Sequence, residues 1–149
     1  MDVRNLAIVR GFTLVELVMV IVLVGVLSVL GIGLFARDSA FSPLLATQQL
    51  ESATLLAQQA ALAGNDGSTL SVNRGSGDFV YTVGGGTASE RAFTIEHNGA
   101  ALSVSGAAFP ISFDHFGRPN TAGNTVQFTF SGESTFDVCL SPLGAVYRC

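Results

Sequence analysis

Few residues of this 149-residue chain have the types and spacing that acid–base or nucleophilic chemistry requires. Asp114 and His115 are adjacent, and neighbouring residues on a strand point to opposite faces, so they do not form a general-base pair. The run Gly84-Gly85-Gly86 lacks the lysine that completes a phosphate-binding loop. We therefore expect no catalytic residues, no cofactor and no enzymatic activity.

Metal and thiol chemistry involve two small groups. Asn65, Asp66 and Asp78 carry oxygen ligands of the kind that calcium takes, but their spacing is not that of a calcium-binding loop, so we expect no metal. Cys139 and Cys149 are not a CxxC pair, which disfavours zinc. Outside the cytoplasm two thiols favour a disulfide, with two unpaired thiols as the alternative.

A single acid, Glu16, lies at the start of a long apolar run. The twenty residues from Leu17 to Ala36 carry no charged side chain. As a helix they extend about 30 Å, the hydrocarbon thickness of a bilayer. A carboxylate facing lipid costs a few kcal/mol, so we expect Glu16 to have a partner or a path to the interface.

The charges around this run predict its orientation. Two arginines outweigh one aspartate before it, and Arg37 and Asp38 cancel after it. The positive-inside bias therefore predicts a cytoplasmic N-terminus, with most of the chain outside. The net charge is −4 and there is no lysine. Because nucleic acid binding usually needs a clustered basic surface, we expect no nucleic acid partner.

One long helix is predicted for residues 12–63, with an apolar part over 12–36 and an amphipathic part over 44–63. Asp38 to Pro43 is expected to interrupt or bend it, and a Gly-Asn-Asp-Gly run after Ala63 ends it. A stripe at helical spacing is predicted to pack against a sheet: Leu45, Gln49, Ala53, Leu56, Ala60 and Ala63.

Residues 64–149 are predicted to form a β-rich head, because short alternating segments are separated by turn residues. Eight strands of one antiparallel sheet are expected: Ser68–Asn73, Asp78–Val83, Arg91–Glu96, Ala101–Ser105, Ile111–Asp114, Thr125–Phe130, Phe136–Leu140 and Ala145–Arg148.

The last predicted hairpin bears on the two cysteines. A four-residue loop over Ser141–Gly144 would place Cys139 opposite Val146, and Cys149 on the other face of the strand pair. A disulfide needs Cα atoms within about 7 Å. Because the two cysteines would lie on opposite faces of the hairpin, a disulfide between them would require the chain to leave regular strand pairing after Tyr147.

The N-terminal segment resembles the processing site of type IV pilins and pseudopilins. The match combines a short charged leader, a Gly, a Phe, an acid and the apolar run, and its residues are Arg10-Gly11-Phe12-Thr13-Leu14-Val15-Glu16-Leu17. The resemblance implies an α+β fold with a long membrane-spanning N-terminal helix packed on the antiparallel sheet. It also implies that a prepilin peptidase removes leader residues 1–11 by cutting after Gly11, and that the new N-terminal Phe12 is methylated.

The resemblance assigns Glu16 a role in subunit assembly. Its carboxylate would meet the free amine of Phe12 on a neighbouring subunit, and the two charges would fix the register between them. The implied partners are the peptidase, other pilin subunits and an inner-membrane assembly platform.

The C-terminal third, together with Phe41–Pro43, is similar to a C-type minor pilin of mannose-sensitive haemagglutinin pili. Three stretches carry this similarity: Phe41–Pro43, Ile111–Pro119 and Val138–Cys149. It implies a minor pilus subunit with a role in biogenesis or adhesion, a Cys139–Cys149 disulfide, and single-pass inner-membrane localisation before assembly into a periplasmic or extracellular pilus. The alternatives are an H-type minor pseudopilin of a type II secretion system and a membrane-anchored periplasmic binding module.

Overall fold

A computed structural model describes the backbone of residues 12–35 and 38–149, and the side chains of 12–29 and 41–149. The chain divides into two compact units, Met1–Arg37 and Asp38–Cys149. Helix α1, Leu14–Phe35, belongs to the first unit, and helix α2, Asp38–Leu62, begins the second.

The prediction of one long N-terminal helix packed on a sheet is wrong. α1 ends at Phe35 and α2 begins at Asp38, so the apolar run and the amphipathic segment belong to two helices. Pro43 is the sixth residue of α2, beyond its first turn, so its missing N–H leaves one helical hydrogen bond unmade without ending the helix. Only α2 is part of the unit that contains the sheets.

The predicted membrane span is also wrong. In the parts of the chain that the structure describes, neither helix combines the length and apolarity needed to cross a bilayer. The expected single-pass inner-membrane location, with a cytoplasmic N-terminus, is corrected accordingly.

All eight predicted strands are present, with bounds that differ from prediction by at most two residues. They are β1 Thr69–Arg74, β2 Asp78–Val83, β3 Arg91–Glu96, β4 Ala101–Ser105, β5 Ile111–Ser112, β6 Val126–Ser131, β7 Thr135–Leu140 and β8 Val146–Arg148.

These strands form two antiparallel four-stranded sheets rather than the single sheet expected. The strand order is β3-β2-β1-β5 in one and β4-β6-β7-β8 in the other. A tight turn between β3 and β4 separates the sheets, with positive φ at Asn98 (42°) and Gly99 (86°). β4 pairs with β6 instead of continuing the first sheet. His97, which precedes this turn, is buried against the Phe79 ring, with 5.3 Å between ring centroids.

The core lies between α2 and both sheets. The buried apolar face of α2 consists of Ala46, Leu50, Ala53, Ala57 and Ala61. It is rotated by about one residue from the predicted stripe, and only Ala53 belongs to both sets. Thr47 and Thr54 are buried on the same side because their hydroxyls donate to the carbonyls of Pro43 and Leu50 on their own helix. Neither threonine belongs to the predicted stripe.

Candidate functional sites

The predicted processing site is only partly visible. Gly11 lies outside the described residues. Phe12 lies just before α1, and its side chain is 82 % exposed.

Glu16 is joined to Thr13 in a capping box at the start of α1. The Glu16 Oε2 atom accepts hydrogen bonds from the Thr13 backbone N–H (3.1 Å) and hydroxyl (3.0 Å). The Thr13 hydroxyl in turn accepts the Glu16 backbone N–H at 3.2 Å. The bond from the Thr13 N–H, followed by that from its hydroxyl, holds the pKa of Glu16 below its ordinary value. The carboxylate is therefore charged at neutral pH, and in the described residues its Oε1 atom has no hydrogen-bond partner.

The surface of α1 is apolar on all sides. Every described side chain from Leu14 to Val29 is exposed, and Glu16 is the one charged residue among them. Soluble monomers rarely leave an apolar surface of this extent uncovered. Within the described residues, this apolar surface of α1 is left uncovered.

Cys139 and Cys149 form a disulfide with a Cα–Cα distance of 5.7 Å. The predicted hairpin register is wrong by one residue: Cys139 pairs with Tyr147, not Val146. Cys149 lies two residues beyond Tyr147 and so returns to the face of Cys139. Regular pairing of β7 with β8 therefore continues to Arg148, and the disulfide forms without interrupting it.

The register changes because the hairpin loop is shorter than expected. Ser141 donates its backbone N–H to the Ala145 carbonyl, and Gly144 donates to the Ser141 carbonyl, each at 2.9 Å. Gly144 has a φ of 93°, as the last residue of a three-residue hairpin loop commonly does. A side chain at Gly144 would also collide with the Gly117 carbonyl.

Gln58 of α2 connects this loop to a second turn. Its Nε2 donates to the carbonyl oxygens of Gly144 at 2.6 Å and Gly117 at 3.2 Å. Neither bond can be inferred from the sequence, because the partners are 86 and 59 residues away. Gln58 is followed by Gln59, and nothing in the sequence distinguishes the glutamine that faces inward from the exposed one.

The second turn, residues 114–118, is organised by Asp114. Its Oδ1 accepts the backbone N–H groups of Phe116 and Arg118, each at 2.9 Å. The bond from Arg118 is the largest cause that lowers the pKa of Asp114. The carboxylate thus serves the turn rather than a general-base pair with His115, whose ring lies 4.0 Å from that of Phe116.

Three apolar side chains and one cation project from these two turns and the end of α2. We call Leu62, Phe116, Arg118 and Leu143 the loop surface. The three apolar side chains are 62–75 % exposed, and the Arg118 guanidinium lies 5.4 Å from the Phe116 ring centre. In the described residues no group of three or more potential metal ligands occurs.

Comparison with known proteins adds no identification. No family model, no curated protein and no solved structure matches the chain. Any functional conclusion must therefore rest on the residues and contacts described above.

Proposed function

We propose that this chain is a non-enzymatic structural subunit of a type IV pilus, a minor pilin of the haemagglutinin type. Prepilin peptidase would cut after Gly11, and the processed subunit would assemble with other pilin subunits through its N-terminal helix. The observation that carries the proposal is a charged carboxylate, Glu16, at the start of α1, whose other described side chains, up to Val29, are uncharged and all exposed.

The outward face of α2 supports assembly through helices. Four large apolar side chains on it are exposed, each by about half or more: Phe41, Leu45, Leu55 and Leu62. With 3.6 residues per turn, Leu45, Leu55 and Leu62 lie along one side of the helix. Helices of neighbouring subunits would cover these side chains together with those of α1.

The capping box gives the Glu16 carboxylate a defined position before any neighbour arrives. Thr13 uses Oε2, which leaves Oε1 for the amine that cleavage creates on Phe12 of another subunit. Thr13 keeps its backbone N–H after cleavage, because it stays amide-linked to Phe12. Among packed apolar helices, attraction between the two charges would offset part of their desolvation and fix the axial register.

Three variants separate the charge of Glu16 from its capping role. Glu16→Gln keeps an acceptor for Thr13 but removes the charge, so we expect loss of piliation in cells that express it in place of the wild type. Thr13→Ala removes the cap and keeps the charge, so pili should still form. Glu16→Ala should fail as Glu16→Gln does.

The readouts are pilus counts by electron microscopy and the N-terminal residue of each variant by mass spectrometry. All three variants should begin at Phe12, as processing does not require the charge pair. Normal piliation with Glu16→Gln would overturn the proposal, since capping alone would then explain the acid. A wild-type protein that still begins at Met1 would overturn it as well.

The subfamily is tested by deletion of the gene. A haemagglutinin-type minor pilin predicts loss of pilus-dependent adhesion with secretion intact. Loss of protein secretion with normal pili would instead assign the chain to the H-type minor pseudopilins.

A further inference from the structure

β3 forms one edge of the first sheet, and no other strand in the described part of the chain pairs with its outer side. It is the longest of the four strands at sheet edges, and it pairs with β2 over all six of its residues. It contains neither a proline nor a bulge, which would block further pairing. An open edge of this length is a place where an extended peptide can add a strand.

Two hydrogen bonds at the end of β3 show which of its backbone groups face outward. The His97 N–H donates to the Gly77 carbonyl, next to β2, at 3.0 Å. The preceding Glu96 carbonyl instead accepts the Ser42 hydroxyl of α2 at 2.9 Å. His97 therefore points toward β2, and Glu96 points away from it.

The open edge consists mainly of the backbone groups of Ala92 and Thr94. In an antiparallel ladder the N–H and C=O of one residue point to the same side, and the side alternates along the strand. Ala92 and Thr94 thus point outward, as Glu96 does. Among the described residues these four N–H and C=O groups have no hydrogen-bond partner. A further strand about 4.8 Å away would satisfy them.

The side chains of Arg91, Phe93 and Ile95 lie on the face of the sheet that packs on α2. Their direct partners on β2 are all buried in the core, and direct partners share a face. Phe93 and Ile95 are only half-buried, so apolar surface remains along this edge. Apolar side chains of an added strand would cover it from the opposite positions.

Arg91 lines a cleft of about 260 Å³ at one end of this apolar surface. Gln59 and Asn65 contribute side-chain amides to the cleft, and Ser89 contributes a hydroxyl. No carboxylate of the described residues lines it. The cleft therefore offers hydrogen-bond donors and a guanidinium to a carboxylate.

The acids closest to Arg91 in sequence and in the neighbouring loop do not occupy it. The Glu90 Oε2 atom accepts the Gly86 N–H at 2.8 Å, and Glu90 does not line the cleft. Asp66, in the loop after α2, is exposed and does not line it either. Within the ranges that the structure describes, Arg91 has no ion pair, so its charge is available to another chain.

The other end of β3 is negatively charged, on the opposite face of the sheet. Glu96 and Asp78 are direct partners on the face away from α2, where like charges repel each other. In the described part of the chain neither carboxylate has an ion pair or accepts a hydrogen bond. A basic side chain opposite Glu96 would relieve this repulsion.

A second copy of β3 does not match these charges. In antiparallel pairing, residues that point outward lie opposite residues that also point outward. Glu96 points outward and Arg91 points toward β2, so Glu96 of a second copy would not lie opposite Arg91. The charges therefore favour a different chain as the partner.

We propose that the open edge of β3 binds an extended segment of a different protein, which adds to the first sheet as an antiparallel fifth strand. The segment carries a basic side chain opposite Glu96, apolar side chains opposite Ile95 and Phe93, and an acidic side chain opposite Arg91. Its sequence pattern is thus basic, apolar, any, apolar, any, acidic. The inference goes beyond the proposed assembly through helices, because it assigns a partner to the sheet.

Two synthetic hexapeptides with blocked termini test this recognition in the full-length chain. Lys-Val-Thr-Val-Thr-Glu has the expected pattern, and Glu-Val-Thr-Val-Thr-Lys is the control with exchanged charges. In an NMR titration the first peptide should shift the amide protons of Ala92 and Thr94. The amides of Phe93 and Ile95 should shift less, because they point toward β2. The control peptide should bind about tenfold more weakly, since both charge pairs become repulsive.

Substitutions test the charge and the backbone edge separately. Arg91→Glu should weaken binding of the first peptide about fivefold and should favour Lys-Val-Thr-Val-Thr-Lys, whereas Arg148→Glu on β8 should change neither affinity. Thr94→Pro removes an outward N–H and no bond to β2, so it should abolish binding. Thr94→Val keeps that N–H and should bind as the wild type does.

Four results would overturn the inference: no binding of the first peptide, equal affinity for both peptides, unchanged affinity of a folded Thr94→Pro variant, or shifts at β4 instead of β3. Where Thr94→Pro does not fold, the peptide preference of Arg91→Glu decides. Any of these results together with Glu16-dependent piliation would reject the strand addition and leave the proposed function unaffected.

Discussion

Two carboxylates of this chain act through backbone N–H groups close to them in sequence. Glu16 caps α1 through Thr13, and Asp114 closes the turn of residues 114–118. In both cases one carboxylate oxygen accepts two hydrogen bonds, which stabilises the ionised form. Glu16 is thus charged and positioned in the isolated subunit, whereas Asp114 orients Phe116 and Arg118.

The turn at Asp114 should open in acid. Its pKa lies below the ordinary value of 3.8, so the hydrogen-bonded turn is fully formed above that pH and is lost as the pH falls through the lower value. The NMR shifts of the Phe116 and Arg118 amide protons should titrate together with a midpoint below 3.8. Asp114→Asn should abolish this titration. A midpoint above 3.8 would contradict the assigned hydrogen bonds.

Gln58 should contribute measurably to stability. Gln58→Ala leaves the carbonyls of Gly117 and Gly144 without their side-chain donor, so we expect a loss of about 1–2 kcal/mol in the free energy of unfolding. Gln59→Ala, at the exposed neighbouring position, is the control and should change stability by less than about 0.5 kcal/mol. Urea unfolding followed by tyrosine fluorescence reports on this unit, because both tyrosines lie in it.

At the scale of elements, small polar contacts decide which side of α2 faces the core. Thr47 and Thr54 are buried because their hydroxyls bond to the helix itself, and the Tyr81 hydroxyl donates to the Ala46 carbonyl at 2.8 Å. Burial raises the pKa of Tyr81 well above its ordinary value, so the phenol remains a donor. These contacts leave Leu45 outside, although hydrophobicity alone had placed it inside.

Two leucines of α2 provide a matched test of this orientation. Leu50 is fully buried, so Leu50→Ala should cost about 2–5 kcal/mol in the free energy of unfolding. Leu55 is 52 % exposed, and Leu55→Ala should cost less than about 1 kcal/mol. The same urea titration measures both variants. Similar losses for the two would mean that the buried face is assigned incorrectly.

For the whole molecule, the disulfide ties the end of the chain to the second sheet. Without it, the short strand β8 is held by its pairing with β7 and by Val146, which packs against the core. The bridge closes a loop with a sequence separation of 10 residues. It therefore restricts the unfolded chain as well as the folded one.

Removal of the bridge should lower stability by about 2–3 kcal/mol, the loop-entropy estimate for a loop of this length. The variant is Cys139→Ala with Cys149→Ser, measured by urea unfolding. A reducing agent should destabilise the wild type by a similar amount and leave the variant unchanged. Equal stability of the oxidised and reduced wild type would show that pairing with β7 is sufficient.

The sequence alone determined the elements whose signals are local. Turn residues and alternation predicted all eight strands, and the β2, β3 and β4 bounds match. The acid at the start of an apolar helix was likewise visible, although the capping box that explains its local geometry was not recognised from Thr13 and Glu16.

Only the tertiary structure decided how these elements combine. The division into two sheets, the face of α2, the hairpin register and the Gln58 bonds all depend on partners distant in sequence, and local patterns carry no information about such pairs. A one-residue change in a hairpin loop reverses the face of every following side chain. Because the loop that ends at Gly144 is one residue shorter than predicted, Cys149 lies on the same face of the hairpin as Cys139. The disulfide can therefore form while β7 and β8 remain regularly paired.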